Sequence, residues 1–190
     1  MKKIFLIALA AMASLTVSAQ QFARVNFNEL VMLMPEMDQA REVFTAAQKE
    51  ADETYGAMVE EYQSKMTQYQ QKQASWTAAI RESKERELVD IQNRLQEFQQ
   101  TISQELQQQQ NQLMAPIQEK AQKAVADLAK AKGFAAVFDQ ASFLFFDESA
   151  IVDLTPDARK ALNIPADRTL ESLQAQLQAQ AEAAQAAPAK

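Results

Sequence analysis

The chain contains no cysteine and no histidine, and it has only two glycines among its 190 residues. Without cysteine there are no disulfide bonds and no thiol nucleophiles, and without histidine the commonest general base and a preferred zinc ligand are missing. The remaining side chains match no catalytic motif. The sequence therefore predicts a protein that is not an enzyme and that has no catalytic residues, no cofactor and no metal site.

Positive charge is scarce as well. The chain has 19 Lys and Arg against 25 Asp and Glu, which gives a formal net charge of −6. Residues 1–19 carry two lysines and no acid, so their removal would bring the charge to −8. Because acidic proteins bind nucleic acid and anionic membranes poorly, we expect neither as a strong partner.

Only the N-terminus has the features of a targeting segment. Two lysines precede an apolar run, Ile4–Leu15, and the small residues Val17-Ser18-Ala19 follow it, as in a secretory signal peptide. The run is too short to cross a bilayer comfortably, although a membrane anchor or a buried N-terminal helix are the alternatives. We expect residues 1–19 to be removed and the mature protein to be periplasmic or secreted from a bacterium.

A long helical stretch follows, over residues 35–132. Nearly every residue in it favours a helix, and Gly56 is its only glycine. Apolar residues recur at alternating steps of three and four, which is typical of a coiled-coil seam. One unbroken helix of this length would be far longer than an ordinary globular helix, so we expect two arms.

The apolar positions also predict where the chain doubles back. Arranged about a point near Glu82, they pair Met58 with Leu106, Tyr62 with Ile102, Met66 with Phe98, Tyr69 with Leu95 and Trp76 with Leu88. This register predicts an antiparallel hairpin arm over residues 35–132, with its tip near residues 80–87. The dense charge of residues 81–87 agrees with a solvent-exposed tip.

Three apolar segments outside the arm predict a small sheet. Residues 20–34 are expected to contain a strand at 22–27 and a brief helical turn capped by Asn28. Residues 133–165 are expected to contain strands at 134–139 and 142–147, joined as an antiparallel hairpin by Gln140-Ala141.

A closing helix is expected after these strands. Thr155 would be its N-cap and Pro156 its first residue. Gly133 is expected to end the long arm before the strands. Residues 166–190 are rich in Ala and Gln, and we expect a low-complexity tail that is partly helical at best.

The predicted fold class is α+β, mostly α: a long antiparallel coiled-coil helical hairpin on a small three-stranded β body. The run at 143–146 is apolar on both faces, which suggests burial on both sides. One hairpin arm cannot cover it, so we expect copies of the chain to associate through the body. The residues expected at this contact are Val25, Phe27, Phe134, Val137, Phe138, Phe143, Leu144 and Phe145.

Four acids close together in sequence could suggest a cation site: Asp139, Asp147, Glu148 and Asp153. Their spacing lacks the glycine and the ligand order of a calcium-binding loop. The plainer interpretation, solvated loop acids, is favoured.

Tyr55, Tyr62 and Tyr69 recur every seven residues, with Trp76 next. They could form an aromatic ladder that binds other chains. The heptad spacing favours the seam between the two arms instead.

Several segments together are more specific than the hairpin alone: Val25-Asn26-Phe27, Pro116-Ile117, Ala131-Lys132-Gly133-Phe134, Val137-Phe138-Asp139, Asp153-Leu154-Thr155-Pro156 and Ala161-Leu162-Asn163. With the signal peptide and the Gln-rich hairpin, they resemble the Skp/OmpH family of periplasmic chaperones over roughly residues 1–164. The resemblance implies a jellyfish-like homotrimer with three hairpins around a cavity. It also implies that the cavity holds unfolded outer-membrane proteins without ATP.

One departure from the family limits what the resemblance implies. The best-known members are strongly basic, whereas this mature chain is acidic. The binding of lipopolysaccharide and phospholipid ascribed to the family needs clustered cations, so it is not expected here. Candidates for contact with unfolded clients are residues that lie off the seam: Phe44, Val59, Ala78, Ala79 and Val89.

The sequence thus favours an ATP-independent periplasmic holdase that keeps unfolded outer-membrane proteins from aggregating. The alternative is a cell-envelope coiled-coil scaffold or spacer, which would hold a folded partner by fixed contacts. The β body and the Asp-Leu-Thr-Pro segment favour the chaperone, because a plain spacer needs neither.

Overall fold

The computed structural model describes residues 22–186, so the predicted signal peptide and the last four residues lie outside the described part. The described chain is mostly helical and divides into two compact units. We call residues 22–34 and 119–186 the body and residues 35–118 the hairpin. In the part of the chain that the structure describes, no helix is both long enough and apolar enough to cross a membrane.

The body contains one three-stranded sheet. Its strands are β1 (Phe22–Val25), β2 (Ala136–Asp139) and β3 (Val152–Asp153), and β1 lies in the middle. Both neighbours run parallel to β1, with Ala23 opposite Val137 on one side and opposite Val152 on the other. The alternation along β1 is as expected, since Ala23 and Val25 are buried and Phe22 is exposed.

The predicted antiparallel hairpin at residues 134–147 is wrong. After β2 the chain enters a 3₁₀ turn, Gln140–Ser142, in which the Asp139 side chain accepts a hydrogen bond from the Ala141 amide (3.3 Å). Residues 143–151 form no strand, and the third strand is β3. β2 instead pairs in parallel with the distant β1, an arrangement that requires a long connection between the two strands.

The first helix of the body, α1, spans Phe27–Leu33. Its N-cap is Asn26 rather than the predicted Asn28, because the Asn26 side chain accepts a hydrogen bond from the Glu29 amide (3.1 Å). The first strand therefore ends at Val25, and Phe27 belongs to the helix instead of the sheet.

The core of the body is assembled from segments that are distant in sequence. Leu30, Leu33 and Leu154 are fully buried. The other buried side chains of this unit are Ala23, Val25, Val31, Met34, Ala121, Val125, Thr155, Ala158, Leu162, Ile164 and Leu173. Burial of this apolar surface on folding is what stabilises so short a sheet.

The hairpin consists of α2 (Pro35–Lys72) and residues 78–118 of α3, a helix that spans Ala78–Lys132 and continues into the body. As predicted, Pro35 begins α2. As also predicted, Gly133 stops α3, with a φ of 75° and with the Phe134 amide bonded to the Ala129 carbonyl (3.0 Å).

The turn between the arms lies earlier than predicted. A 3₁₀ turn at Gln73–Ser75 ends α2, Trp76 is extended, and Thr77 accepts the bond from the Arg81 amide that opens α3 (3.0 Å). Residues 80–87, predicted to form the tip, are helical. The charge of that segment does indicate exposure, but exposure alone does not specify a turn.

The register of the two arms differs from the prediction as a consequence. Tyr62, expected opposite Ile102, instead receives a hydrogen bond from Gln92 (2.7 Å), ten positions earlier in the chain. Tyr55 stacks on Phe98, with ring centroids 6.5 Å apart. The predicted pairing was wrong because one helix can slide along the other while apolar residues still face apolar residues.

The C-terminal part of the body holds α4 (Thr155–Ala161) and α5 (Leu170–Ala186). Thr155 is the first residue of α4 rather than its N-cap, and its hydroxyl instead accepts a hydrogen bond from the Asn26 amide (2.9 Å). Within the predicted tail, residues 170–186 form one continuous helix, and residues 166–169 precede it outside the helix.

Candidate functional site

The body carries an aromatic cluster next to its sheet. Phe22 and Phe138 come from neighbouring strands with ring centroids 6.0 Å apart, and Phe143 lies 5.5 Å from both Phe138 and Phe146. The tilted and edge-on arrangements are those that aromatic rings prefer. Phe22 and Phe138 remain 44% and 42% exposed, so the cluster is open to solvent on one side.

Arg24 fastens this cluster to the sheet. Its guanidinium lies 4.8 Å from the centre of the Phe146 ring, pairs with Asp153 (3.0 Å) and donates a hydrogen bond to Gln140. One side chain on the central strand thus connects β3 with the segment that follows β2. Sequence reasoning missed Arg24, and its only signal was a cation on a strand rich in apolar residues.

Leu144 and Phe145 stand out from the cluster. The side chains of Phe143 and Phe146 pack against other aromatic rings. The two residues between them are almost completely exposed, with relative exposures of 108% for Leu144 and 85% for Phe145. Monomeric proteins rarely leave two adjacent large apolar side chains so exposed next to further apolar surface. These two residues are the most exposed of those predicted for the contact between copies.

Three of the other residues predicted for that contact, Val25, Phe27 and Val137, line an apolar groove of the same unit, whereas Phe138 and Phe143 belong to the aromatic cluster. The groove has a volume of about 360 Å³ and lies between the sheet and the C-terminal part of α3. It is lined by Val25, Phe27, Gln122, Val125, Ala126, Ala129, Val137 and Asp139. Phe134 is half-buried and does not line the groove. The body thus combines an exposed apolar projection with an apolar groove.

The four clustered acids make local contacts in the body. Asp139 accepts hydrogen bonds from the amides of Ala141 and Phe27 (3.3 and 3.4 Å), and Asp153 pairs with Arg24. No group of three or more potential metal ligands is found among residues 22–186.

Asp147 has its own local partners. It accepts bonds from the Ser149 hydroxyl (2.6 Å) and amide (2.9 Å), which lower the pKa of its carboxyl group. Glu148, the fourth acid of the group, is exposed. Asp147 and Glu148 thus lie in a loop, whereas Asp139 and Asp153 are the last residues of β2 and β3.

The three tyrosines of the hairpin face the returning arm. Tyr55 and Tyr62 each accept a hydrogen bond from a glutamine side chain of α3, Gln99 and Gln92 respectively, both at 2.7 Å. Tyr69 donates to Glu85, and this bond raises the pKa of the Tyr69 hydroxyl. The tyrosines thus belong to the contact between the arms, as the heptad spacing predicted.

Ion pairs also cross the hairpin. Glu87 accepts bonds from Lys65 and from Lys84 (2.8 Å), and Arg94 pairs with Glu61 (3.1 Å). The bond from Lys65 is the largest cause that lowers the pKa of Glu87 to about 2. Of the eight cations in residues 35–118, six form ion pairs with acids of the same unit: Arg41, Lys49, Lys65, Lys84, Arg86 and Arg94.

The residues predicted to contact clients are spread along the hairpin. Val89 is 52% exposed, Ala78 and Ala79 are exposed at the start of α3, and Phe44 and Val59 are half-buried. The structure does not bring the five together into one pocket. Sequence reasoning missed two further apolar side chains that are well exposed on the same unit, Val43 (47%) and Ile80 (44%).

Comparison with known proteins agrees with this architecture. The sequence model of one family, described as "Outer membrane protein (OmpH-like)", matches residues 21–162, which is three quarters of the chain. No protein with a curated description matches the chain. The family consists of periplasmic chaperones rather than known enzymes, and its members bind outer-membrane proteins. The resemblance drawn from the sequence is therefore confirmed: the chain belongs to the OmpH-like family.

Proposed function

We propose that the protein is an ATP-independent holdase of the periplasm that binds unfolded outer-membrane proteins between helical arms and prevents their aggregation. Family membership supports the kind of partner. The observation that carries the proposal is the hairpin surface, where Val43, Ile80 and Val89 are about half exposed among charged residues. Scattered apolar contacts suit clients that share alternating apolar strands but no common sequence.

The proposal includes association of copies of the chain through the body, as a homotrimer. Leu144 and Phe145 are the surface expected to be covered in that assembly, and the groove bordered by Val25, Phe27 and Val137 is the surface that a neighbour would fill. An apolar projection on one copy and a groove on the next make a head-to-tail contact. Such contacts close into a ring when the rotation between copies allows it.

The surface proposed to bind clients is acidic. Most cations of the hairpin are paired within the unit, while Glu42, Glu50, Asp52 and Glu60 are exposed along α2. Nucleic acid and anionic lipid are therefore poor candidates for partners. The proposed clients bind through apolar contacts on an acidic surface.

Aggregation of a β-barrel membrane protein diluted from urea tests the holdase proposal. We expect the mature protein to suppress light scattering at stoichiometric concentration without added nucleotide. The triple variant Val43→Ser, Ile80→Ser and Val89→Ser should lose most of this suppression while keeping its helical content. A matched control replaces three exposed glutamines of the hairpin with serine: Gln70, Gln96 and Gln108.

Two outcomes would contradict the proposal. If stoichiometric protein leaves aggregation unchanged, the protein is not a holdase for this class of client, and a scaffold with a folded partner becomes the better explanation. If light scattering finds a monomer at micromolar concentration, there is no cavity between arms.

The double variant Leu144→Ser, Phe145→Ser is expected to shift the assembly toward monomer, since it removes about 300 Å² of apolar surface.

A further inference from the structure

The family match ends at residue 162, yet the chain beyond it is structured. The chain reverses its direction over residues 163–169. Helix α5 follows at Leu170–Ala186 and packs against α1. Several independent contacts hold this region in place. All of them lie within the body, so their role can be considered without reference to the hairpin.

The first contact is a helix stop at the end of α4. Asn163 has a φ of 56°, a left-handed conformation that few side chains adopt. Its amide bonds to the Lys160 carbonyl (3.1 Å), and the Ile164 amide bonds to the Arg159 carbonyl (2.9 Å). This pair of bonds is the Schellman arrangement, and Ile164 is buried just beyond it, so the chain reverses at a fixed point.

Arg159 then ties the reversal to α1. One terminal nitrogen of its guanidinium donates to Glu29 of α1 (2.6 Å), and the other donates to the carbonyls of Pro165 (3.0 Å) and Arg168. The Arg159 side chain is only 16% exposed and that of Glu29 only 23%. The planar guanidinium group has several N–H donors, so it can bond to the carboxylate and to both carbonyls at the same time. A lysine ammonium group cannot do this in the same geometry.

The start of α5 is specified as well. Thr169 and Ser172 form a reciprocal cap: the Ser172 amide donates to the Thr169 hydroxyl (3.1 Å), and the Thr169 amide donates to the Ser172 hydroxyl (2.9 Å). One residue later, Leu173 is 97% buried. A cap followed at once by a buried anchor indicates a docked helix rather than a low-complexity tail.

We infer that residues 159–173 form a clasp that fastens α5 onto α1, so that the body of this chain includes a C-terminal element outside its family region. The clasp contacts the part of the body that adjoins the central strand. α1 follows directly after the central strand β1, and the Asn26 amide between them is bonded to Thr155. The clasp therefore holds the segment that carries the middle of the sheet.

A matched pair of substitutions on α5 tests the clasp in the full chain. Leu173→Ala removes the buried anchor, and Leu177→Ala makes the same change one turn later, where the side chain is 39% exposed. Amide hydrogen exchange of α1 is the readout. We expect exchange at Phe27–Leu33 to rise at least about tenfold in Leu173→Ala and to stay within about twofold of the parent in Leu177→Ala.

A second pair tests the arginine. Arg159→Lys keeps the charge opposite Glu29 but cannot hold both carbonyls, so we expect exchange in α1 to rise severalfold. The control, Lys160→Ala, alters a neighbouring side chain that is 82% exposed. When Arg159→Lys is combined with Leu173→Ala, we expect little further increase in the exchange of α1, because Leu173→Ala has already opened the clasp. Unchanged exchange of α1 in both Leu173→Ala and Arg159→Lys would overturn the inference. The inference does not depend on chaperone activity.

Discussion

In the body, short elements from both ends of the described chain fill one core, whereas in the hairpin two long helices share a narrow seam. Leu30, Leu33 and Leu154 of the body are fully buried. In the hairpin, Leu88, Ile91 and Ile117 are buried, while most of the other apolar seam residues are only half-buried. The body is therefore packed like an ordinary globular core, whereas the hairpin is held together by many weak contacts along its length.

The polar contacts of the two regions differ in the same way. Arg24 and Arg159 of the body are largely buried: Arg24 bonds to two distant segments, and Arg159 joins the distant Glu29 to the nearby carbonyl of Pro165. In the hairpin, the ion pairs Arg94–Glu61 and Lys65–Glu87 join the two arms and are about a third to a half exposed, while others, such as Lys49–Glu53, lie within one helix. Exposed pairs contribute little stability, so removing one should have a local and small effect.

The largest effect is expected in the core of the body. Leu154→Ala deletes a fully buried side chain and should lower the free energy of unfolding by about 2–5 kcal/mol. Urea denaturation at fixed protein concentration measures the loss. The control Leu144→Ala, at a fully exposed position, should change the stability of a dilute, dissociated sample by less than about 0.5 kcal/mol. Equal losses in the two variants would contradict the distinction between core and projection.

The same substitution in the seam should cost less. Leu95→Ala removes a half-buried side chain from the hairpin, and we expect a loss of about 1–3 kcal/mol. Hydrogen exchange should accelerate within residues 35–118 and leave the body unchanged, because each region has its own set of packed residues. Uniform acceleration over the whole chain would show that the two regions unfold together and would break the comparison.

Asn163 offers a smaller effect that is confined to the body. Its φ of 56° disfavours β-branched residues, so Asn163→Val should cost about 1–2 kcal/mol. Asn163→Gly removes the steric conflict and should remain within a few tenths of a kcal/mol of the parent. Thermal unfolding of both variants side by side provides the measurement. A valine variant as stable as the glycine variant would contradict the left-handed conformation.

The smallest effect concerns the pH dependence of the hairpin. The pKa of Glu87 is lowered to about 2 by its bonds to Lys65 and Lys84, against about 4.3 for an unperturbed glutamate. Because the folded-state pKa is the lower one, the carboxylate stabilises the fold above pH 4.3. This contribution is lost as the pH falls toward 2.

Glu87→Gln should remove this part of the pH dependence. We expect the stability difference between parent and variant to stay below about 1 kcal/mol at neutral pH and to shrink between pH 4.3 and pH 2. Molar salt should reduce the difference at neutral pH, since the pair is partly exposed. A difference that grows as the pH falls would have the wrong sign for an ion pair.

Much of the hairpin could be predicted because its signals are local. The heptad spacing identified residues that do lie in the seam, including Tyr55, Tyr62 and Leu88, and it favoured the seam over a binding ladder. Trp76 was expected opposite Leu88, but it lies in the turn between the arms. This error follows from the misplaced tip.

The body was harder to predict because its contacts join distant residues. The run at 143–146 has the composition of a strand, yet two of its four residues join an aromatic cluster and two project into solvent. The apolar tail residue Leu173 is buried only because Arg159, Asn163 and the cap at Thr169 bring it back to α1. No pattern in residues 166–190 alone indicates that contact.

The sequence by itself determined two long helices, their ends at Pro35 and Gly133, the apolar stripe of each and the family to which they belong. The tertiary structure alone decided which residues face each other across the hairpin, that β1 pairs in parallel with β2 and β3, and that α5 is part of the body. Helical periodicity and caps depend on neighbours within a few residues, so they can be read along the chain. Register and strand partners depend on contacts between distant segments, which the local pattern of apolar residues does not specify.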